Sequence, residues 1–345
     1  MRYRMMVMVG LAGLALTAGS ALASDLVSDI VSQISQASIW DYNSRPDFLY
    51  THPGDSRKRY GGVIGADFFL AQNNIKATFE SDFGIGTATV DTAGGWNNVW
   101  VTKVGTVNPG KVYVVGSHYD SVTLDGSTDA PGGNDNASGV SAVLELARVF
   151  KDYQFKNTII FCAFDGEESG LNGSAQWTAA WAAAHPGIAI AGMVEMDCIG
   201  YNPNDSYHDK AIVYTGHSQS LPWRTALAAA MTTYTDGAIT ATAANQPYDC
   251  SDYARFEDHG WQAAILAEAA VWEDVASIMH THNDNVEYGH IDQVFETNMV
   301  KGVAGFLASQ LAPVPEPASL GILVMGMGSL LLRRRRAAGR HRSRS

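Results

Sequence analysis

Thr158-Ile-Ile-Phe-Cys-Ala-Phe164 is an apolar stretch, and Asp165-Gly-Glu-Glu168 follows it directly. A short run of this kind, bounded by polar residues and without polar alternation, predicts a strand buried on both faces. Such strands lie in sheets that helices cover on both sides. Adjacent carboxylates at the end of a buried strand are costly unless something positive lies between them. The stretch therefore predicts a sheet and, at its edge, a place where chemistry is done.

Working outward, the chain alternates strand and helix signals. Asn98-Val-Trp-Val-Thr102 and Lys111-Val-Tyr-Val-Val115 are β-rich, and Ile188–Met196, Ala211–Tyr214 and Gln262–Leu266 read as further strands. Ala137–Phe150 carries Val140, Val143, Leu144 and Ala147 at helical spacing. Helices are also predicted over Leu26–Ile34, near Gly65–Gln72, and over Ala175–Ala184, Pro222–Thr233 and Asp292–Gln310. No internal repeat is visible. This alternation predicts an α/β fold with a mostly parallel, mixed central sheet flanked by helices. Ligands of such folds bind beyond the carboxyl ends of the strands.

Acidic residues and histidines collect at those ends. Gly116-Ser-His118-Tyr-Asp120 follows one strand, and a carboxylate near a histidine can hold the ring and raise its basicity as a ligand. Gly132-Gly-Asn-Asp135-Asn-Ala-Ser-Gly139 places Asp135 where a loop meets a helix. Glu167 and Glu168 point different ways, so one can bind a cation while the other faces a substrate. Asp197 ends the apolar Met193-Val-Glu-Met-Asp197, and His280-Thr-His282-Asn-Asp284 precedes the last helix. Each segment alone has an ordinary reading: Asp135 as a helix cap, Asp165–Glu168 as a solvated charge run, and most of the ten histidines as packed or solvent-facing.

The 345 residues suffice for one large α/β domain or two small ones. The formal charge is −12; without the nine arginines at the two ends and Glu316, 14 basic residues face 34 acidic ones. A body this acidic repels nucleic acid and suits metal ions and protonated amines. Cys162, Cys198 and Cys250 allow at most one bridge, and Cys162 reads as a buried small hydrophobe.

Together the five segments resemble family M28 of the metallopeptidases, the zinc aminopeptidases secreted by bacteria. The matching residues are His118-Tyr-Asp120, Asn134-Asp-Asn-Ala-Ser-Gly139, Glu167-Glu-Ser-Gly-Leu-Asn-Gly-Ser174, Asp197 and His280-Thr-His-Asn-Asp284, in the family's order. The resemblance covers most of Ser24–Leu311. It implies a zinc-exopeptidase sandwich and two Zn²⁺ per chain. Asp135 would bridge the ions, with His280 and Glu168 on one and His118 and Asp197 on the other. It further implies Glu167 as general base, Asp120 as the carboxylate on the first histidine, and Tyr248 near the substrate carbonyl. The Asp135–Asn136 bond is expected to be cis. Two doubly charged ions would balance three carboxylates and one hydroxide. Some relatives form a disulfide from the cysteine at Cys250 to a position held here by Gln246, so that bridge is absent. The implied activity is hydrolysis of N-terminal residues from peptides with a free N-terminus. Glutaminyl cyclases and carboxypeptidase relatives share the fold, and a metal-free surface binding module is the reading from another class.

The ends read as addresses. Met1-Arg-Tyr-Arg, an apolar run from Met5 to Leu16 and Ala21-Leu-Ala23 make a secretory signal peptide over 1–23. The resemblance implies a peptidase domain over residues 24–312. Residues 313–345 hold Pro315-Glu316-Pro317, an apolar Leu320–Leu332 and Arg333–Arg336. As a helix, Ala318–Leu332 is about 22 Å long, short of a hydrocarbon core of roughly 30 Å. This tail resembles the PEP-CTERM sorting signal, which implies recognition by an exosortase, transient membrane anchoring and delivery to the periplasm, cell surface or medium. A plain membrane anchor is its rival.

Overall fold

The computed structural model describes residues 24–92, 94–245, 249–272 and 278–315. Residues 1–23, read above as a signal peptide, Tyr248 and all but the first three residues of the 313–345 tail lie outside the described residues. Among the described residues no helix is long and apolar enough to cross a membrane.

Helix α1 (residues 24–32) and α2 (Gln36–Ser44) open the body. A small hairpin, β1 (Arg59–Tyr60) and β2 (Val63–Ile64), leads into α3 (Phe68–Phe83). Strands β3 (Thr89–Asp91), β4 (Asn98–Lys103) and β5 (Asn108–His118) follow. A turn over Gly133–Ser138 then runs into α4 (Gly139–Phe150). Next come β6 (Gln154–Phe155), β7 (Asn157–Phe164), α5 (Asn172–Ala184), β8 (Ile190–Met196) and β9 (Lys210–Thr215). The chain continues through α6 (Leu221–Tyr234), β10 (Thr240–Asn245), α7 (Tyr253–Asp258) and β11 (Ala263–Glu268). It closes with α8 (Gln293–Leu311) and β12 (Pro313–Val314).

The central sheet has eight strands in the order β10-β9-β11-β8-β5-β7-β4-β3. Pairs β10/β9, β11/β8, β8/β5 and β5/β7 are parallel; β9/β11, β7/β4 and β4/β3 are antiparallel. The expected mixed sheet is present, and its parallel centre is where the apolar runs lie. Along β7, Ile159, Phe161 and Ala163 enter one core while Ile160, Cys162 and Phe164 enter the other. Along β5, Tyr113 and Val115 face the first core, and Val112 and Val114 the second. Side chains alternate across a strand, so the unbroken apolar runs fill two layers at once. Helices α2, α3, α4, α6 and α8 cover the first face, and α5 and α7 the second.

Register then fixes the site. His118 pairs with Phe164 of β7, and Gly116 with Glu195 of β8. The residues just past β5, β7 and β8 therefore emerge at one level. At the opposite end of β7, β12 pairs antiparallel with β6, Pro313 facing Phe155.

Several elements of this body go beyond the sequence reading: α2, α7, β3 and β10, and the two-residue strands β1, β2, β6 and β12. Helix α2 buries only Ile39 and Asn43, so it carries no apolar stripe. Its docking also explains why α4 is buried almost all round, Glu145 included: the Ser35 amide donates to Glu145 Oε1 at 2.6 Å, and Arg148 pairs with the same carboxylate at 2.7 Å. Helix α3 runs eleven residues past the expected Gln72, on a stripe of Phe68, Ala71, Gln72, Ile75 and Phe79. No disulfide joins the cysteines, and Cys162 is buried as expected.

Candidate metal centre

His118 ends β5 with its ring fully buried. Its Nδ1 lies 3.1 Å from the Asp120 main-chain oxygen and 3.6 Å from the Asp120 carboxylate. That carboxylate accepts the Glu167 and Glu168 backbone amides, each at 3.2 Å. Asp120 thus steadies the His118 ring through its carbonyl, and its side chain fixes the tandem glutamates.

Asp135 stands in the turn between Gly132 and α4, and the Asp135–Asn136 bond is cis, as expected. The surrounding polar residues are all engaged. Asp284 accepts the Asn134 amide at 2.7 Å and the Asp135 amide at 2.9 Å. The Asn134 side chain donates to Glu268 and accepts from Gly200, at 2.9 and 2.8 Å. Asn136 donates to Met196 O at 3.1 Å, and Ser138 to Asn134 O at 2.7 Å. Gly139 is needed for close approach: a Cβ there would lie 2.2 Å from Met196 O.

The two Asp135 oxygens face different histidines. Oδ1 is 3.2 Å from His118 Nε2, and Oδ2 is 3.1 Å from His280 Nε2. Asp197 Oδ1 lies 3.5 Å from His118 Nε2, and Glu168 Oε2 lies 3.2 Å from His280 Nε2. The five residues therefore form two groups that share Asp135.

These groups fit cations. Ligand atoms about 2.0–2.2 Å from a tetrahedral zinc stand roughly 3.3–3.6 Å apart, close to the separations above. His118 Nε2, Asp197 Oδ1 and Glu168 Oε1 are buried and make no hydrogen bond. His118, Asp135 and Glu168 converge with ligand atoms within 4.8 Å of one another, as do Asp135, Asp197 and Cys198. Acceptors gathered in this way demand a positive partner. In the bare protein protons take that part. Burial opposes charge on His280, but hydrogen bonds and Coulombic attraction from Asp135 and Glu168 outweigh it, raising the ring to about 11. Burial and the Asp135 charge lift Glu168 to about 7. Burial, with the Glu168 charge, pushes Glu167 well above the carboxylate range against the pull of His118.

Glu167 lines a cavity of about 320 Å³ beside the two groups. The far wall is apolar, with Leu171, Ile265, Val271 and Met279, and Cys198 and Cys250 also border it. Several contributors were not anticipated. The Ser251 hydroxyl stands 2.8 Å from both Asp197 Oδ2 and the buried Glu195 Oε1. Glu195 also accepts the Tyr253 amide at 2.6 Å, so it moors the cavity rim to β8. Arg57 is fully buried and donates to Gly132 O at 2.7 Å. A Glu within Met193–Asp197 was the available signal for Glu195; nothing in the sequence marked Ser251 or Arg57.

The model of peptidase family M28 matches residues 98–304, more than half of the chain. The chain belongs to peptidase family M28. It is 31% identical over 209 residues to a probable leucine aminopeptidase of Arthroderma otae, spanning 57% of this chain and 53% of that one. A probable zinc metalloprotease of Pyrenophora tritici-repentis is 42% identical over 102 residues, which is 29% of this chain and 23% of the relative. The chain thus spans about a quarter to a half of the length of these relatives. Among solved structures, the LapA aminopeptidase of Legionella pneumophila superposes with a TM-score of 0.67 at 22% identity, covering 84% of this chain and 76% of the other. A glutaminyl cyclase of an Acidobacteriales bacterium gives 0.64 at 17% identity, covering 81% and 95%. At these identities the two structures speak to the fold alone.

Proposed function

We propose that this chain is an aminopeptidase that uses two zinc ions, removing N-terminal residues from peptides. The observation that carries the reading is Asp135, whose two oxygens each face a histidine, at 3.2 and 3.1 Å. His118, Asp135 and Asp197 would hold one zinc, and His280, Asp135 and Glu168 the other. The names of relatives of this M28 chain support zinc and an aminopeptidase activity. When bound, paired zinc ions supply Lewis acidity, polarising the scissile carbonyl and acidifying water.

The protein's own residues do the rest. Glu167 lines the cavity without joining either group of converging ligands. Its carboxylate takes the proton of the attacking water and returns it to the departing amine. Asp120 holds the Glu167 amide, so base and ligand keep their spacing. The apolar wall receives the side chain of the first residue, and the acidic surroundings favour its ammonium group. Tyr248 is assigned to the substrate carbonyl on the resemblance alone.

Residues 1–23 are proposed to direct export, 24–312 to form the enzyme, and 313–345 to serve an exosortase during surface sorting, with transient membrane anchoring. That places the enzyme in the periplasm, at the cell surface or outside.

The test is a panel of aminoacyl chromogenic amides, N-blocked peptides and N-terminal glutamine peptides, with elemental analysis of the same dialysed protein. Release of the first residue from free but not blocked substrates, with about two zinc per chain, is expected. Cyclisation of N-terminal glutamine without hydrolysis would assign the cyclase chemistry instead. Activity with a single tightly held zinc would refute the paired site.

A further inference from the structure

The two halves of the centre rest on different foundations. His118 closes a central strand and is fully buried. His280 sits on a loop, in the left-handed region with φ 58°, and its side chain is 35% exposed. That region is uncommon for a residue with a side chain, so neighbouring contacts must hold it. At one end of the loop Asp284 does so, through the Asn134 and Asp135 amides.

At the other end the contacts come from residues 123–127. The Leu124 amide donates to His280 O at 2.8 Å. Asp125 Oδ2 accepts the His282 backbone amide at 3.0 Å and lies 2.6 Å from Nδ1 of the His282 ring. Asp125 is itself braced, because its Oδ1 accepts the Thr123 hydroxyl at 2.7 Å and the Ser127 amide at 2.9 Å. Neither Asp125 nor His282 lines the cavity. His282 belongs to the His280–Asp284 segment, yet neither the sequence reading nor the proposed mechanism gives it work.

We propose that Asp125 is a positioning residue: by clasping both the ring and the amide of His282, it fixes the His280 imidazole against Asp135 and Glu168. The clasp rests on the two-zinc reading and adds to it. Two contacts on one residue, two positions from His280, leave the loop little freedom to rotate the ring away. The His118 half does not depend on this clasp, since its histidine closes a strand and its ring is steadied by the Asp120 carbonyl two residues on. Loosening the clasp therefore acts on one metal and spares the other.

The experiment measures zinc stoichiometry and both zinc affinities, by chelator competition, in the full chain and in Asp125→Ala, His282→Ala, His282→Asn and the double alanine variant. Loss of an outer partner of a metal ligand weakens binding about 10–100-fold. For this more remote pair about tenfold is expected, confined to one of the two ions. The His282→Asn change keeps an N–H at the position of Nδ1 for Asp125 and should recover most of the loss. The double variant should match Asp125→Ala, which removes both contacts, while His282→Ala, which keeps its backbone amide on Asp125, should lose no more than that. At saturating zinc, kcat and KM should return to those of the parent. Parent-like affinities in the alanine variants overturn the clasp and leave the two-zinc reading standing. Equal weakening of both ions, with a fall in Tm, also overturns it, since that is the mark of a merely structural contact. A parent that binds fewer than two zinc ions overturns the two-zinc reading, and the clasp falls with it.

Discussion

Glu296 offers a sharp test of the buried electrostatics. It lies in the first turn of α8 and is fully buried. Neither of its oxygens makes a hydrogen bond as a carboxylate, and the neighbouring Asn43 Oδ1 also lacks a donor. One proton on Glu296 removes the unpartnered buried charge. Burial raises its pKa from the usual 4.5 to about 8, outweighing the neighbouring Asn43, which pulls the other way. The sign follows from linkage. Below pH 4.5 the side chain is protonated both folded and unfolded, and costs nothing. As pH rises from 4.5 towards 8 the unfolded chain loses its proton and the folded one keeps it, so stability falls. At about 1.4 kcal/mol per pH unit, the loss at pH 7 is on the order of 3 kcal/mol. Glu296→Gln keeps the shape and a donor for Asn43 without the ionisation. The variant should match the parent near pH 4.5 and exceed it at pH 7 by up to that amount, raising Tm by several degrees. Thermal unfolding of both proteins across pH 4.5–8.5, at equal zinc loading, reads the difference. A variant less stable than the parent at pH 7, or a gap unchanged between pH 5 and 8, would show that Glu296 is ionised or solvated and refute the argument.

Three further outcomes follow from the site. Glu167→Gln should keep both zinc ions and the Tm while kcat falls about 10²–10⁴-fold; loss of zinc with a modest fall in rate would exchange the roles of Glu167 and Glu168. Gly139→Ala should destabilise the body by about 1–3 kcal/mol in urea unfolding, because the new Cβ would press on Met196 O, Ser117 Oγ and Asn136 Oδ1; an unchanged midpoint would mean that the α4 entry yields freely. Removing zinc with a chelator should lower Tm, and adding zinc back should restore it, because an ion that binds only the folded state stabilises it by mass action; a Tm indifferent to chelator would count against a resident ion.

Much of this was legible in the sequence, and for a definable reason. Residues 158–164 and 112–115 are apolar or small on both faces and too short for a buried helix, as strands of a covered sheet are. His118, Glu167, Glu168 and Asp197 follow three of its strands directly, so placing the strands placed them. Asp135 and His280 needed the resemblance, since nothing local says that a loop 17 residues past His118 returns to it. What remained hidden was settled by partners distant in the chain. Helix α2 has no stripe of its own, and Glu145 and Glu296 look like solvent-facing helical residues until α2 and its Asn43 close over them. Side-chain direction was hidden too. Asp120 was read as a partner of the His118 ring, and its carboxylate does lie 3.6 Å from Nδ1; what the sequence did not show is that the ring's nearer contact is the Asp120 carbonyl, at 3.1 Å, and that the carboxylate also accepts the Glu167 and Glu168 amides.

The pairing of β12 with β6 has a consequence for the molecule's posture. The chain leaves the described body at the foot of β7, while the zinc-binding candidates crown its head. Eight residues of strand separate the two poles, about 26 Å at roughly 3.3 Å per residue. Helix α8, with 19 residues, climbs a similar height, about 28 Å. If the tail tethers this enzyme, the mouth faces away from the tether and the body acts as a pedestal. Peptides arriving from the medium would then meet the cavity first, and those held close to the anchoring surface would lie beneath its reach. Immobilising the protein through residues after Pro315 should leave turnover of soluble peptides close to that of free enzyme. A large loss there would mean that the mouth faces the support.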